Sequence, residues 1–264
     1  MLRQYVKIID IEMISNFPGA AGLKQFGQYA QLLYQALRSS TEFSTYRKNL
    51  FQEFVKVGYE SIPIIFLTGI FTGAVLTLQT AYQLDTDIYP SSIIGSIVGQ
   101  SIVIELAAVI SALVLAGKVG ARISTELGTM RVSEQIDAIE SMGFNSVSFL
   151  VVPRILAGLM MFPVLYVTAA VFGIIGGVTA GAVDGILPAP EFMEGARAFF
   201  FESDIIFGFI KSIVFGFVIT SISSFKGYYA FGGAEGVGNA TTQATVLSCI
   251  FVLLSDFILA ALLL

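Results

Sequence analysis

The sequence predicts an all-α integral membrane protein with five transmembrane helices, an N-terminal interfacial amphipathic helix and a charged helical segment on the cytoplasmic side. Three observations carry this. The 264 residues are 55% hydrophobic and 12% charged, with a mean hydropathy of +0.82, whereas a soluble domain carries about a quarter charged residues. Five runs are long enough for a hydrocarbon core of roughly 30 Å, which takes about 20 residues of helix. Lys and Arg gather in alternate connections, as the positive-inside bias requires.

The spans follow from the charge-poor runs. Residues 61–84 and 155–183 carry no charge, 88–117 carry only Glu105, 205–225 only Lys211 and 236–264 only Asp256. The last run opens on polar GNATTQAT, so its membrane part is expected to start near Ala244. Arg3, Lys7, Lys24, Arg38, Arg47, Lys48 and Lys56 precede the first span, whereas Asp85 and Asp87 follow it. Residues 184–204 hold five acids against Arg197, and the segment with Arg122 and Arg131 is flanked by Lys118 and Arg154. The N-terminus is therefore expected in the cytoplasm and the C-terminus outside. Residues 1–60 read as a cytoplasmic or interfacial helical region, and 61–264 as a five-span domain with its charged segment at about 121–143.

In residues 17–38, Leu23, Phe26, Tyr29, Leu33 and Leu37 recur at helical spacing, with Lys24, Gln28, Gln31 and Gln35 on other faces. This suits a helix lying in the cytoplasmic interface, or one packed on the protein's own polar part. Glycines recur four apart at Gly69 and Gly73, Gly95 and Gly99, and Gly173, Gly177 and Gly181. That spacing lets helix backbones approach closely in lipid. The N-terminus has no long apolar core ahead of a cleavage site and does not read as a signal peptide.

Composition also excludes. A net charge of −5 without a basic run argues against nucleic acid. One cysteine, Cys249, and no histidine remove disulfides, cysteine metal clusters and His-dependent catalysis.

Glu105, Lys211 and Asp256 are the informative membrane residues, since each charge costs at least about 2.5 kcal/mol near the bilayer centre. Counted at about 1.5 Å per residue, Lys211 and Asp256 both fall roughly 9 to 12 Å below the outer surface on consecutive antiparallel spans, which predicts an ion pair. Glu105 falls nearer mid-membrane. The set reads either as a structural clamp or as the lining of a polar path or head-group site, and a proton relay also uses such carboxylates.

The segment ARISTELGTMRVSEQIDAIESMG places Ile123, Leu127 and Met130 at helical spacing, continued by Val132, Ile136 and Ile139, with charges on the remaining faces. It is a solvated loop helix or a coupling helix that docks in the groove of a motor subunit. The chain has no GxxxxGK[ST] loop, so a motor would be another subunit.

The stretch IELAAVISALVLAGKVGARISTELGTMRVSEQIDAIESMG strongly resembles the signature of MlaE-type permeases, the membrane subunits of bacterial ABC transporters that work with MCE proteins. There it reads R-E-L-G-P, then A-G-R-x-G, then A-E-I/L-G-x-M-R/K-x-x-E-Q. GLKQFGQYAQLLYQAL, GIFTGAVLTLQ, IKSIVFGFVITSISSFKGY and ATTQATVLSCIFVLLSDFILAALL resemble its interfacial helix and its first, fourth and fifth spans. Two positions depart: Ile104 stands where an arginine is usual, and Ala107-Ala108 where Gly-Pro is usual. Without that proline the second span is expected to run straighter.

The resemblance implies a homodimeric, non-enzymatic permease in the bacterial inner membrane, moving phospholipid or another membrane lipid. It implies a separate ABC ATPase subunit carrying ATP and Mg, a periplasmic MCE-domain protein and, in some members, a STAS-domain subunit. The chain itself needs no cofactor or metal. The family's lipid-cavity positions fall on Glu105, Lys211 and Asp256, with Leu76, Leu84 and Tyr89, and its ATPase contact on Glu126, Gly128, Arg131, Glu134 and Gln135. A proton-coupled secondary carrier and a structural anchor for a periplasmic lipid-binding assembly are the rival readings.

Overall fold

The computed structural model describes residues 20–39, 43–84 and 90–263. Those residues form helices and connecting turns, with no strand among them. Five helical rods are long and apolar enough to cross a membrane: Asn49–Gln83, Ser92–Val132, Val147–Val183, Glu202–Tyr228 and Gly233–Leu263. They are the five spans read from the sequence, each extended at one end or both on the charged or polar flank.

Helix α1 (Ala20–Ser39) precedes α2 (Phe43–Val57), which leads through a 3₁₀ turn at Tyr59–Ser61 into α3 (Ile62–Gln83). Pro63 stands in the first turn of α3, where a helix needs no N–H from it. α1 divides its apolar residues between two directions: Leu32 and Ala36 are buried against the bundle, while Leu23, Phe26, Tyr34 and Leu37 are exposed. The expected single stripe is thus split: Leu23, Phe26 and Leu37 stay exposed, while Tyr29 is part-buried and hydrogen-bonded to Ser221 at 2.8 Å.

The second span is composite. It runs through α4 (Ser92–Ser101), a π turn at Ile102–Leu106, α5 (Ala107–Leu115), a second π turn at Ala116–Gly120 and α6 (Ala121–Val132). Loss of the proline therefore does not leave a regular α-helix. In the first π turn the Ala107 N–H donates to the Ile102 carbonyl five residues back. The Val103 carbonyl instead accepts from the Tyr166 hydroxyl at 2.8 Å. Gly208 makes room for that hydroxyl, since a Cβ there would collide with it.

After α6 comes the short α7 (Gln135–Ser141), set apart by Glu134 in the left-handed region at φ 60°. A π turn at Val147–Val151 then opens α8 (Val152–Val183), the third span. Next, α9 (Ala189–Ala198) folds back on the start of the second span, and α10 (Glu202–Tyr228) and α11 (Gly233–Leu263) complete the bundle. α9 was not read from the sequence, where its acids marked only a connection.

The glycine spacing has the expected effect. α3 lies backbone to backbone against α8, so close that a Cβ on Gly73 would run into the Gly173 carbonyl. The first and fifth spans are the peripheral ones: 28% and 11% of their most apolar stretches are buried, against 50 to 56% in the other three. α11 is one helix of 31 residues, about 46 Å long. Its polar opening is helical too and lies along α6, where Thr241 and Thr125 hydroxyls meet at 2.9 Å.

Candidate functional site

Three spans converge on one lysine. Lys211, on α10, is fully buried, and its Nζ donates to Glu105 Oε2 at 2.5 Å. The same Nζ lies 2.6 Å from Asp256 Oδ1 on α11, a charge contact rather than a directed hydrogen bond. Nζ also sits 4.5 Å from the centre of the Phe207 ring, whose face favours a cation. Two carboxylates share one ammonium, so the formal charge of the cluster is −1.

The predicted Lys211–Asp256 pair is present, and Glu105 joins it. Glu105 was expected deeper than the other two. It stands 13 residues from the start of α4, about 20 Å, whereas Lys211 stands nine residues from the start of α10, about 14 Å. The contact brings them level all the same, and α9 packs against α4. The π turn holding Glu105 also changes the register of its side chain, which simple counting omits.

The cluster is open on its carboxylate side. The Glu105 side chain is 38% exposed and that of Asp256 17%, while the Lys211 side chain is fully enclosed. Leu106, the next residue after Glu105, borders an apolar groove of about 410 Å³ with Phe71, Thr72, Val75, Leu76 and Gln79 of α3. Leu76 thus lines a groove that meets the second span at Leu106, while Glu105, Lys211 and Asp256 are not among its lining residues. Leu84 lies half-buried at the extended end of α3, and Tyr89 falls outside the described residues.

At the other end of the bundle the charged segment forms α6 and α7. Its residues divide by direction. Glu134 and Gln135 are exposed, and Arg131 donates to Asp137 at 2.7 Å across the break between the two helices. Gly128 is buried beneath Val237 and Ala230. Glu126 also points inward: Oε1 lies 3.3 Å from Lys56 Nζ of α2, and Oε2 accepts from Arg154 of α8 at 3.0 Å. Glu53, Glu60 and Arg122 extend this into a network of three acids and three bases.

In the sequence, Lys56 and Arg154 mark only the cytoplasmic side, and nothing singles out Glu53. The local spacings Glu53–Lys56 and Arg122–Glu126 were visible as helical neighbours. No pattern joins positions 53, 126 and 154.

A helical bundle of five spans, with a charge cluster inside it and a charged helical projection at one end, has the build of a multi-span permease. The chain belongs to the MlaE permease family: the family described as Permease MlaE matches residues 50–262. It is 34% identical over 239 residues to a probable ABC transporter permease protein of Rickettsia bellii, covering 90% of this chain and 92% of that one. It is 32% identical over 257 residues to the intermembrane phospholipid transport system permease protein MlaE of Haemophilus influenzae, covering 94% and 98%. A third relative, the chloroplastic protein TRIGALACTOSYLDIACYLGLYCEROL 1 of Arabidopsis thaliana, is 33% identical over 215 residues, covering 81% of this chain and 61% of that one.

Proposed function

We propose that this chain is the permease subunit of an ATP-driven transporter of phospholipid or a related membrane lipid. It works as a homodimer in a bacterial inner membrane, N-terminus in the cytoplasm and C-terminus in the periplasm, with a separate ABC ATPase subunit, a periplasmic MCE-domain protein and, in some assemblies, a STAS-domain subunit. Residues 61–264 are the permease domain, and the exposed apolar side of α1 lies in the cytoplasmic interface. The observation that carries this reading is the Lys211 cluster, with its part-exposed carboxylates, on a span whose next residue after Glu105, Leu106, borders an apolar groove.

The division of labour follows from chemistry. The groove along α3, with Leu76, takes acyl chain, together with Leu84 and Tyr89 by resemblance, and the Glu105, Lys211 and Asp256 cluster takes head group. Since Lys211 is enclosed and already holds two carboxylates, a lipid meets carboxylate oxygens first. Those oxygens accept hydrogen bonds and attract ammonium, so the cluster favours head groups with hydroxyl or amine donors over a bare phosphate. A family relative named as an ABC transporter permease and the absence of a phosphate-binding loop here support an external motor. The exposed Glu134 and Gln135 with Arg131 form the motor contact, by resemblance.

The test is ATP-dependent lipid transfer by the reconstituted assembly, with Lys211→Ala and Asp256→Ala as variants. Transfer that is lost while the complex still assembles supports the reading. Intact transfer in both variants refutes the cluster's role. Transfer that survives removal of the ATPase favours a proton-coupled carrier, and an assembly that moves no lipid in any form favours the structural anchor.

A further inference from the structure

The charged end of the bundle contains a device that the docking role of α6 and α7 does not use. Glu126 spreads one carboxylate over two other helices: Oε1 faces Lys56 of α2 at 3.3 Å, and Oε2 accepts from Arg154 of α8 at 3.0 Å. α2 runs straight into the first span and α8 is the third. Behind Glu126, Glu53 and Arg154 are each 5% exposed and lie 3.6 Å apart, and Arg122 reaches Glu53 at 3.7 Å and the Lys56 carbonyl at 2.7 Å.

Several of these contacts are made by charge without directed hydrogen bonds: Glu53 Oε2, Arg122 Nε and Nη2, and Arg154 Nε have no hydrogen-bond partner among the described residues. Buried charges held this way tolerate a change of neighbour but not loss of all neighbours, because a stranded buried ion is strongly destabilising. Moving α6 away from α2 and α8 would break the Glu126 contacts to Lys56 and Arg154 and the Arg122 contact to Glu53, leaving Glu53 and Arg154 only each other and Lys56. These contacts tie α6 to both α2 and α8, so a displacement of α6 alone sacrifices them.

We propose that Glu126 is a positioning residue that transmits movement of the α6–α7 projection to the first and third spans, and is not part of the surface the motor touches. This rests on the transporter reading above. A motor pulling on Glu134 and Gln135 displaces α6, and Glu126 carries that displacement through Lys56 to α2 and through Arg154 to α8. The role differs from docking in its failure mode: without the link, the motor stays bound and turns over, but the spans do not follow.

The experiment uses the assembled complex of full-length permease and ATPase in proteoliposomes. It measures ATPase retained, ATP hydrolysed and lipid moved per ATP. In Glu126→Gln the ATPase is retained and hydrolyses ATP, while lipid moved per ATP falls roughly fivefold or more. Lys56→Gln removes only the α2 contact at a partly exposed position, and lowers the same ratio in the same direction by a smaller factor. Because that variant strands no buried charge, it decides the matter if Glu126→Gln fails to accumulate. Gln135→Ala, on the exposed face, lowers ATPase retention instead. Loss of ATPase from a folded Glu126→Gln complex overturns the proposal in favour of docking, and an unchanged ratio in either Glu126→Gln or Lys56→Gln overturns it outright. A wild-type complex that moves no lipid with ATP refutes the transporter reading, and the inference with it.

Discussion

Replacing Lys211 with Met separates what the charge cluster does for the fold from what it does for a ligand. Nζ is enclosed and lies 2.5 Å from Glu105 and 2.6 Å from Asp256. Methionine fills the volume and leaves two carboxylates without their cation. Removing one partner of a buried pair costs about 3 to 5 kcal/mol. Glu105→Gln behaves differently: it leaves a neutral Lys211–Asp256 pair and removes the surplus negative charge, so its cost is that of a part-exposed ion pair, on the order of 1 kcal/mol or less. The triple replacement Lys211→Met, Glu105→Gln, Asp256→Asn strands no ion and should recover most of the loss, since neutral substitution of a whole buried charge group is often tolerated. Thermal unfolding of the purified protein in detergent reads this out. At about 2 to 4 °C per kcal/mol for a chain of this size, Lys211→Met melts roughly 6 to 20 °C lower than the parent. A Lys211→Met protein as stable as the parent, or a triple variant less stable than the single one, would show that the lysine does not neutralise these carboxylates.

Three further outcomes follow from the packing. Gly73→Val drives a side chain into the Gly173 carbonyl and costs about 1 to 3 kcal/mol in the same melting assay, whereas Gly27→Val, with open space around it, leaves melting unchanged. Tyr166→Phe removes the donor to the Val103 carbonyl and costs about 1 to 3 kcal/mol, with faster amide exchange through residues 102–108 measured by mass spectrometry. Burial holds the Tyr29 phenol above its ordinary value of about 10, with the Ser221 hydrogen bond acting the other way. A raised pKa in the folded state means that this group's contribution is complete below pH ~10 and is lost as pH climbs through the folded value. Docking of α1 should therefore loosen only in strong alkali, followed by phenolate absorbance and by protease access to α1. Tyr29→Phe removes that dependence.

The spans were legible because lipid imposes one rule on every turn of helix: few charges over about 20 residues. The glycine contacts were legible for a related reason, since a four-residue spacing keeps small residues on one helix face. Lys211 and Asp256 could be paired by counting along consecutive antiparallel spans. Glu105 escaped the count because it sits in a π turn, which shifts the direction of its side chain and which residue counting omits. The inward turn of Glu126 and Gly128 was hidden for a different reason. Helical periodicity tells which residues share a face, but Lys56 and Arg154, which make that side of α6 an interior one, arrive from sequence distances of 70 and 28 residues.

α11 joins the two ends of the molecule in a single rigid piece. It begins beside Gly232 and Gly233, both at positive φ, touches α6 through Thr241 and carries Asp256 near its far end. From Gly233 to Asp256 is 23 residues, about 35 Å of helix, so a tilt of about 5° about those glycines swings the aspartate by about 3 Å. That exceeds the 2.6 Å separating it from the lysine. α11 is geometrically a lever, and an angular change too small to disturb its own hydrogen bonds is enough to unlatch one arm of the cluster.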